Sequence, residues 1–405
     1  MVEVSLPDAP WRHRAGMDTL VAALGPGNAR FVGGAVRDTL LGLPVSDVDI
    51  ATPLPPDEVM QRLRRAGIRV VPTGIAHGTV TAVLSEGPVE VTTLRHDVET
   101  DGRHAVVAFS DDWRADAARR DFTFNALYAD PGSGAVHDWF GGLDDLAAGR
   151  VRFIGDPLTR IAEDHLRILR FFRFHARFGG EAFDPEGLAA CTARANDLMA
   201  LSRERIADEL SKLLLTPRAA LVLATMVEAG ILAPVLPEIT AAGVDRLTRL
   251  VTREAAADLE PEWERRLAAL LPADPAVADA VTARLRLSNA RRKRVACAVQ
   301  PLPDEPIRAV AYRIGLDCTR DRALISANDS ILAATLAALD GHQLPRLPIS
   351  GGALVAMGVS AGPDVAALMQ AVERQWIAED FPGRDRVEQL ARDAADQWLR
   401  AHKAR

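Results

Sequence analysis

Short apolar runs punctuated by glycine and proline carry the chain to about Arg150, and beyond it apolar residues recur at the three-and-four spacing of amphipathic helices. Met17 to Leu24, closed by Gly25-Pro26-Gly27, predicts an opening helix. Arg30-Phe31-Val32 predicts a short strand, Gly33-Gly34 breaks it, and Ala35 to Leu41 has helical composition ending at Gly42 with Pro44 just beyond. A strand is expected over Asp47 to Ala51, a helix over Pro55 to Ala66, a strand over Arg69 to Val71 and a loop over Gly74 to Gly78. Thr79 to Leu84 and Val89 to Thr93 flank Glu86-Gly87-Pro88 as a hairpin does. Leu94 to Asp112 turns polar, with Arg95, His96, Asp97, Glu99, Asp101, Arg103 and His104, and predicts a mobile loop. Arg119 to Ala126 is an apolar, β-prone run led by two arginines and an acid, and Asp138 to Leu146 reads as a strand end turning tightly into a helix. Asp156-Pro157 supplies an N-cap and a first helical proline, and the helix it opens is expected to run to about Phe178. The fold class is therefore α+β, a small mixed sheet followed by an all-helical remainder.

Two stretches carry candidate chemistry. In the first, a strand passes through Gly33-Gly34 into a helix, where glycine lets an anion approach the backbone and Arg37, one turn in, can reach a phosphate. Asp47 and Asp49 follow on one strand, and because side chains alternate faces, both point the same way. Two carboxylates beside a phosphate cradle suit Mg²⁺ ions bridging triphosphate oxygens. Glu90, on a later strand, is a candidate third ligand. Neither G-x-G-x-x-G nor G-x-x-x-x-G-K-[ST] is present around these glycines, which disfavours a dinucleotide fold and a Walker loop. Arg119 and Arg120 add forked donors suited to phosphate oxygens.

The second stretch is Arg160 to Arg173. At about 100° per residue, Glu163, Asp164, Arg167 and Arg170 share an arc of roughly 120°, with Ile161, Ala162, Ile168, Leu169 and Phe172 filling much of the opposite side. An ionised Asp only accepts hydrogen bonds and an Arg only donates them. Asp164 beside Arg167 therefore matches the pairing edges of cytosine and adenine, each an amine next to an acceptor nitrogen, and mismatches guanine and uracil.

Composition narrows the picture further. At 405 residues with 48% hydrophobic content the chain can bury a large core, and no apolar run approaches membrane-spanning length. Met1 to Arg14 lacks signal-peptide features, so a cytoplasmic location is expected. The net charge of -7 disfavours non-specific adhesion to nucleic acid but leaves room for local basic patches. The densest patch is Arg284, Arg286 and Arg291 to Arg294, in which Arg291, Arg292 and Lys293 are candidate RNA phosphate contacts. Cys191, Cys297 and Cys318 are far apart without a C-x-x-C pair, so core positions are expected rather than zinc or a disulfide.

With both stretches in hand the chain resembles the class II tRNA nucleotidyltransferases, the bacterial CCA-adding enzymes of the polymerase β superfamily. G-G-A-V-R-D followed by D-V-D-I matches the first motif, R-R-D-F-T-F-N-A the second, the turn from Asp138 to Gly142 the third, E-D-H-L-R-I-L-R the nucleobase template, and Leu201 to Leu210 the last, a supporting helix. The resemblance implies that Asp47 and Asp49 are catalytic and hold Mg²⁺. It implies that Gly34, Arg37 and Arg120 contact the triphosphate, and that Asp164 and Arg167 read the base with Arg170 and Arg173 alongside. It further implies a nucleotidyltransferase head (1–155), a helical neck bearing the template (156–215), a body (216–340) and a tail (341–405), acting on the 3′ end of tRNA with CTP and ATP. Relatives usually carry an E-D-L-like step before the double arginine; here D-W-R-A-D-A-A stands there, with Asp116 in the acid's place. Poly(A) polymerases share head and neck but tend to carry a basic, Arg/Phe-rich segment where this chain has Gly74 to Thr79. Enzymes adding only CC or only A share every motif. A non-catalytic RNA-binding scaffold is disfavoured by the retention of both Asp47 and Asp49.

Overall fold

The opening helix α1 (Met17–Leu24) and the short strand β1 (Arg30–Val32) form where the apolar pattern places them. These coordinates are a computed structural model, and residues 4–100, 105–341 and 343–403 are described. The chain divides into two units, Met1–Ala241 and Ala242–Arg405.

In the first unit, α2 (Gly34–Leu40) follows the glycine turn, and β2 (Asp49–Thr52), α3 (Pro56–Arg65), β3 (Arg69–Gly74), β4 (Thr79–Leu84) and β5 (Gly87–Thr93) come next. With β8 (Tyr128–Ala129) and β9 (Val136–His137) they build a seven-stranded sheet in the order β3-β4-β5-β2-β1-β8-β9. Ile50, Ala51 and Thr52 are buried because β2 is central, antiparallel to β1 and parallel to β5. That register sets Val32 against Asp49 on one side and Glu90 against Asp49 on the other. Val32, Ala51, Leu94, Ala117, Ala126, Tyr128 and Ile154 form a core cluster here.

Several expectations are corrected. β2 begins at Asp49, so Asp47 precedes the strand instead of opening it. The segment expected to be a mobile loop forms an antiparallel pair, β6 (Arg95–Thr100) with β7 (Ala105–Phe109), since backbone pairing does not require an apolar face. Asp101, Arg103 and His104 lie outside the described residues. Thr123–Asn125 is a 3-10 turn, not a strand. α4 (Trp113–Ala118) precedes it and α5 (Gly142–Ala147) follows the Asp138 turn. Asp138 secures that turn by accepting from the backbone N–H groups of Phe140, Gly142 and Leu143.

The single helix expected from Asp156 to Phe178 is two, α6 (Pro157–Glu163) and α7 (Leu166–Phe178). Asp156 caps α6 by accepting from the Thr159 N–H at 2.7 Å, as its type predicts. The break falls at Asp164, whose backbone is extended (φ −150°, ψ 105°) and whose carboxylate accepts from the Leu166 N–H at 3.1 Å. An Asp competes with the helix ladder for nearby N–H groups, and apolar periodicity carries no trace of that competition. α8 (Pro185–Ala193), α9 (Arg203–Leu214) and α10 (Ala219–Glu228) complete this unit.

The second unit is helical: α11 (Ala241–Ala256), α12 (Trp263–Leu270), α13 (Pro275–Arg284), α14 (Asn289–Ala298), α15 (Ile307–Ile314), α16 (Leu316–Ser326), α17 (Asp329–Leu339), α18 (Gly351–Ala356), α19 (Pro363–Ala378) and α20 (Arg384–Lys403). Glu254 on α11 is buried against Arg265 (2.6 Å) and Arg266 (2.8 Å) of α12. Trp376 on α19 anchors a separate cluster with Val372, Val387 and Ala391. Contrary to expectation, Cys297 and Cys318 form a disulfide, because α14 and α16 pack together and bring their Cα atoms to 6.1 Å. Cys191 is buried and unpaired, as expected. Among the described residues no helix is long and apolar enough to cross a membrane.

Candidate active site

The sequence stretches singled out above meet in a cavity of about 540 Å³ in the first unit. Its lining includes Gly33, Gly34, Arg37, Asp49 and Arg120 from the sheet side and Asp164, Arg167, Arg170 and Arg205 from α6, α7 and α9 with their junctions. Three expected members, Asp47, Glu90 and Arg173, are not part of this lining, and Glu90 is exposed. Asp47 is exposed and accepts from the Ser46 hydroxyl at 2.9 Å. Arg173 is buried, donating to Glu209 at 2.5 Å and lying over the Phe174 ring.

The glycine turn is required by geometry at Gly33, whose φ of +66° is strained for any side chain. A Cβ there would also stand 3.4 Å from Nη1 of Arg120. Arg37 donates through Nε to Asp38 (2.7 Å) and through Nη1 to Asn125 (2.6 Å), and its guanidinium lies over Phe178 at 4.5 Å.

Asp49 is held in a repulsive setting. Burial raises its pKa to about 6, the Glu90 carboxylate opposite it and Asp47 add to the rise, and Arg120 opposes it. Among the described residues no three acidic, histidine or cysteine groups converge tightly enough to hold a metal ion by themselves. An oxygen-only donor set of one or two carboxylates nevertheless fits Mg²⁺, which keeps several waters and completes its shell with substrate phosphates.

The Asp164 and Arg167 side chains are each gripped by a partner. Arg205 on α9 donates through Nη2 to both Asp164 oxygens, at 2.9 and 3.1 Å. Arg167 donates to Glu163 at 2.6 Å and to the Arg160 and Arg119 carbonyls. Arg170 donates to the buried Asp121 at 2.6 and 2.7 Å. Burial pushes the Asp121 carboxyl up, but Arg170 and Asn125 outweigh it and hold it below the usual carboxylate range. Glu163, expected on the polar arc, and Arg205, expected on the supporting helix, are functional candidates to which the sequence assigned no role of their own. Glu163 carries a signal, four residues before Arg167. Arg205 lies within the Leu201 to Leu210 supporting-helix motif, but no spacing rule gives its contact with Asp164, which depends on how α9 packs against α7.

The basic run of α14 is arranged differently. Arg291 pairs with Glu264 at 3.2 Å and lies over Trp263 at 5.2 Å, while Arg292 reaches both Asp279 oxygens at 2.8 and 2.9 Å. Lys293 is exposed.

The poly A polymerase head-domain family matches residues 29–152, and a family described as a probable RNA and SrmB-binding site of polymerase A matches residues 182–242. The CCA-adding enzyme of Streptococcus gordonii is 34% identical over 87% of this chain and 90% of its own length. This chain belongs to the CCA-adding enzyme family. Another relative, the mitochondrial CCA tRNA nucleotidyltransferase 1 of Danio rerio, is 46% identical over a shorter stretch, 50% of this chain and 47% of its own length. The crystal structure of the Bacillus stearothermophilus CCA-adding enzyme in complex with CTP superposes with a TM-score of 0.73 at 27% identity, covering 94% of this family member and 97% of that chain.

Proposed function

We propose that this enzyme adds C, C and A to the 3′ end of tRNA from CTP and ATP without a nucleic-acid template. The observation carrying the proposal is that one cavity joins Asp49, at the start of the central strand β2, to Asp164 and Arg167 at the α6–α7 junction. In this reading Asp47 and Asp49 would hold Mg²⁺, which when bound would supply charge neutralisation for the triphosphate and activation of the attacking 3′ hydroxyl. Gly34 leaves room for the phosphates, and Arg37 and Arg120 bind them. Asp164 accepts from the exocyclic amine of C or A while Arg167 donates to the adjacent ring nitrogen. Glu163 and Arg205 fix both side chains, so the pair is ordered before the base arrives. Arg170 stands beside the pair, and Arg173, held by Glu209, supports α7 from behind the cavity.

The division into head (1–155), neck (156–215), body (216–340) and tail (341–405) belongs to the same proposal, with the helical remainder gripping tRNA and Lys293, Arg291 and Arg292 meeting its phosphates. A cytoplasmic location fits these substrates. The test is extension of tRNA lacking its last three nucleotides, supplied with single labelled NTPs. Two additions from CTP, followed by one from ATP, are expected. Runs of A indicate a poly(A) polymerase instead, and arrest after CC, or addition of A alone, indicates a partial-adding enzyme.

A further inference from the structure

Arg120 is held from behind by two groups outside the recognised nucleotide contacts. Its Nε donates to the Tyr128 hydroxyl at 3.0 Å and its Nη2 to Asp116 at 3.3 Å. The Tyr128 hydroxyl in turn donates to the same Asp116 oxygen that receives Nη2. The three groups therefore close a ring of hydrogen bonds, and Nη1, which takes no hydrogen bond among the described residues, is left facing the Gly33 turn.

The ring is rigid for reasons the fold makes plain. Asp116 is 1% and Tyr128 0% exposed. Tyr128 lies on β8 directly opposite Val32, the last residue of β1 before the glycine turn, so its position is set by the strand that delivers the turn. Its ring is fixed edge-on by Trp113 and Trp139 at 5.9 and 5.5 Å. The other Asp116 oxygen accepts from Arg119 Nε (2.9 Å) and the Arg95 N–H (3.2 Å), which uses its remaining acceptor capacity. Burial alone would push the Asp116 carboxyl up, and the two guanidiniums overcome it and hold it below the ordinary range. An arginine side chain otherwise has several rotatable bonds to immobilise on meeting a phosphate.

We infer that Asp116 and Tyr128 are positioning residues for the triphosphate, a two-point clamp that presents Nη1 of Arg120 to the phosphate-facing turn. This rests on the reading of Arg120 as a triphosphate contact. A clamp of this kind acts on the phosphates and leaves base recognition at Asp164 and Arg167 untouched, so its signature is phosphate-dependent.

The test measures dissociation constants for CMP, CDP and CTP, together with CTP turnover on tRNA lacking CCA, in the wild type, Tyr128→Phe and Asp116→Asn. Tyr128→Phe keeps the ring and its packing and is expected to weaken CTP about threefold to tenfold, while Asp116→Asn, which removes a charge-assisted acceptor, weakens it about tenfold to a hundredfold. CMP affinity is expected to stay within about twofold, as is turnover at saturating CTP, so the effect falls on KM. Parallel loss of CMP and CTP affinity, or variants that match the wild type, overturns the clamp. If Asp116→Asn fails to fold, Tyr128→Phe alone decides. A wild type that adds neither C nor A to tRNA instead removes the proposed function, and the CMP-to-CTP affinity ratio still decides the clamp.

Discussion

Two sets of arginines look alike in the sequence, those around Arg119 to Arg170 and those of α14, yet the structure treats them differently. Around the cavity, the acid partners stand behind or beside each guanidinium: Asp116 behind Arg120, Glu163 beside Arg167, Asp121 under Arg170. Asp116 and Asp121 are buried, so these pairs are shielded from water and hold one orientation. On α14, Arg292 meets an Asp279 side chain 54% exposed, and Arg291 is itself 55% exposed beside Glu264. Exposed pairs of this type contribute about 0–1 kcal/mol and are easily exchanged for another anion. The first arrangement suits a fixed small ligand, the second a screened and adjustable polyanion.

The contrast is sharpest at Asp49, a carboxylate in the same cavity whose neighbours Glu90 and Asp47 carry the same charge and are only partly offset by Arg120. Asp49→Ala is expected to lower nucleotide addition by at least about a thousandfold, several kcal/mol of lost charge stabilisation, while tRNA affinity stays near wild type. Addition rates with tRNA binding measured in parallel check this, and near-normal addition removes the metal assignment. A smaller effect separates the two kinds of pair. Glu163→Gln removes the charged partner of Arg167 and is expected to lower kcat/KM for CTP and ATP about tenfold, whereas Asp279→Asn, which removes that of Arg292, leaves it unchanged. Equal losses in steady-state kinetics would erase the distinction drawn between the two regions. The smallest effect lies on α14: Lys293→Ala is expected to reduce the slope of log affinity for tRNA against log salt by about 0.7 to 0.9, and Arg291→Ala and Arg292→Ala by less, since each already has an internal counterion. Slopes measured across several salt concentrations that fall equally for all three would show that the internal pairs do not matter.

Much of the first unit was legible because local chemistry and fold agree there. α1 and β4 have the bounds that apolar spacing and turn residues indicate, and Asp156 caps α6 as its type and the following proline foretell. Asp49, Gly34, Arg37, Arg120, Asp164, Arg167 and Arg170 all line one cavity, as their motifs suggested. What escaped depends on packing between distant segments. The helix break at Asp164 arises from one side chain capturing one N–H, inside a pattern that otherwise reads as continuous. Arg205 lies 41 residues from the Asp164 it holds, and Cys297 and Cys318 are 21 residues apart on neighbouring helices; neither separation has a spacing rule. Arg173 shares a helix and a residue type with Arg170, yet Glu209 draws it away from the cavity.

In the proposed reaction side chains held in the cavity, and no nucleic acid, choose the incoming base. The most direct measurement is nucleotide preference of the double variant Asp164→Asn, Arg167→Gln on tRNA lacking CCA, with each of the four NTPs offered separately and in competition. Both substitutions replace a one-way hydrogen-bonding group by an amide that donates and accepts, so discrimination against UTP and GTP is expected to fall by about 5- to 150-fold, with CTP and ATP use reduced. A double variant that still folds, still binds tRNA and keeps the wild-type preference for CTP and ATP would contradict the claim.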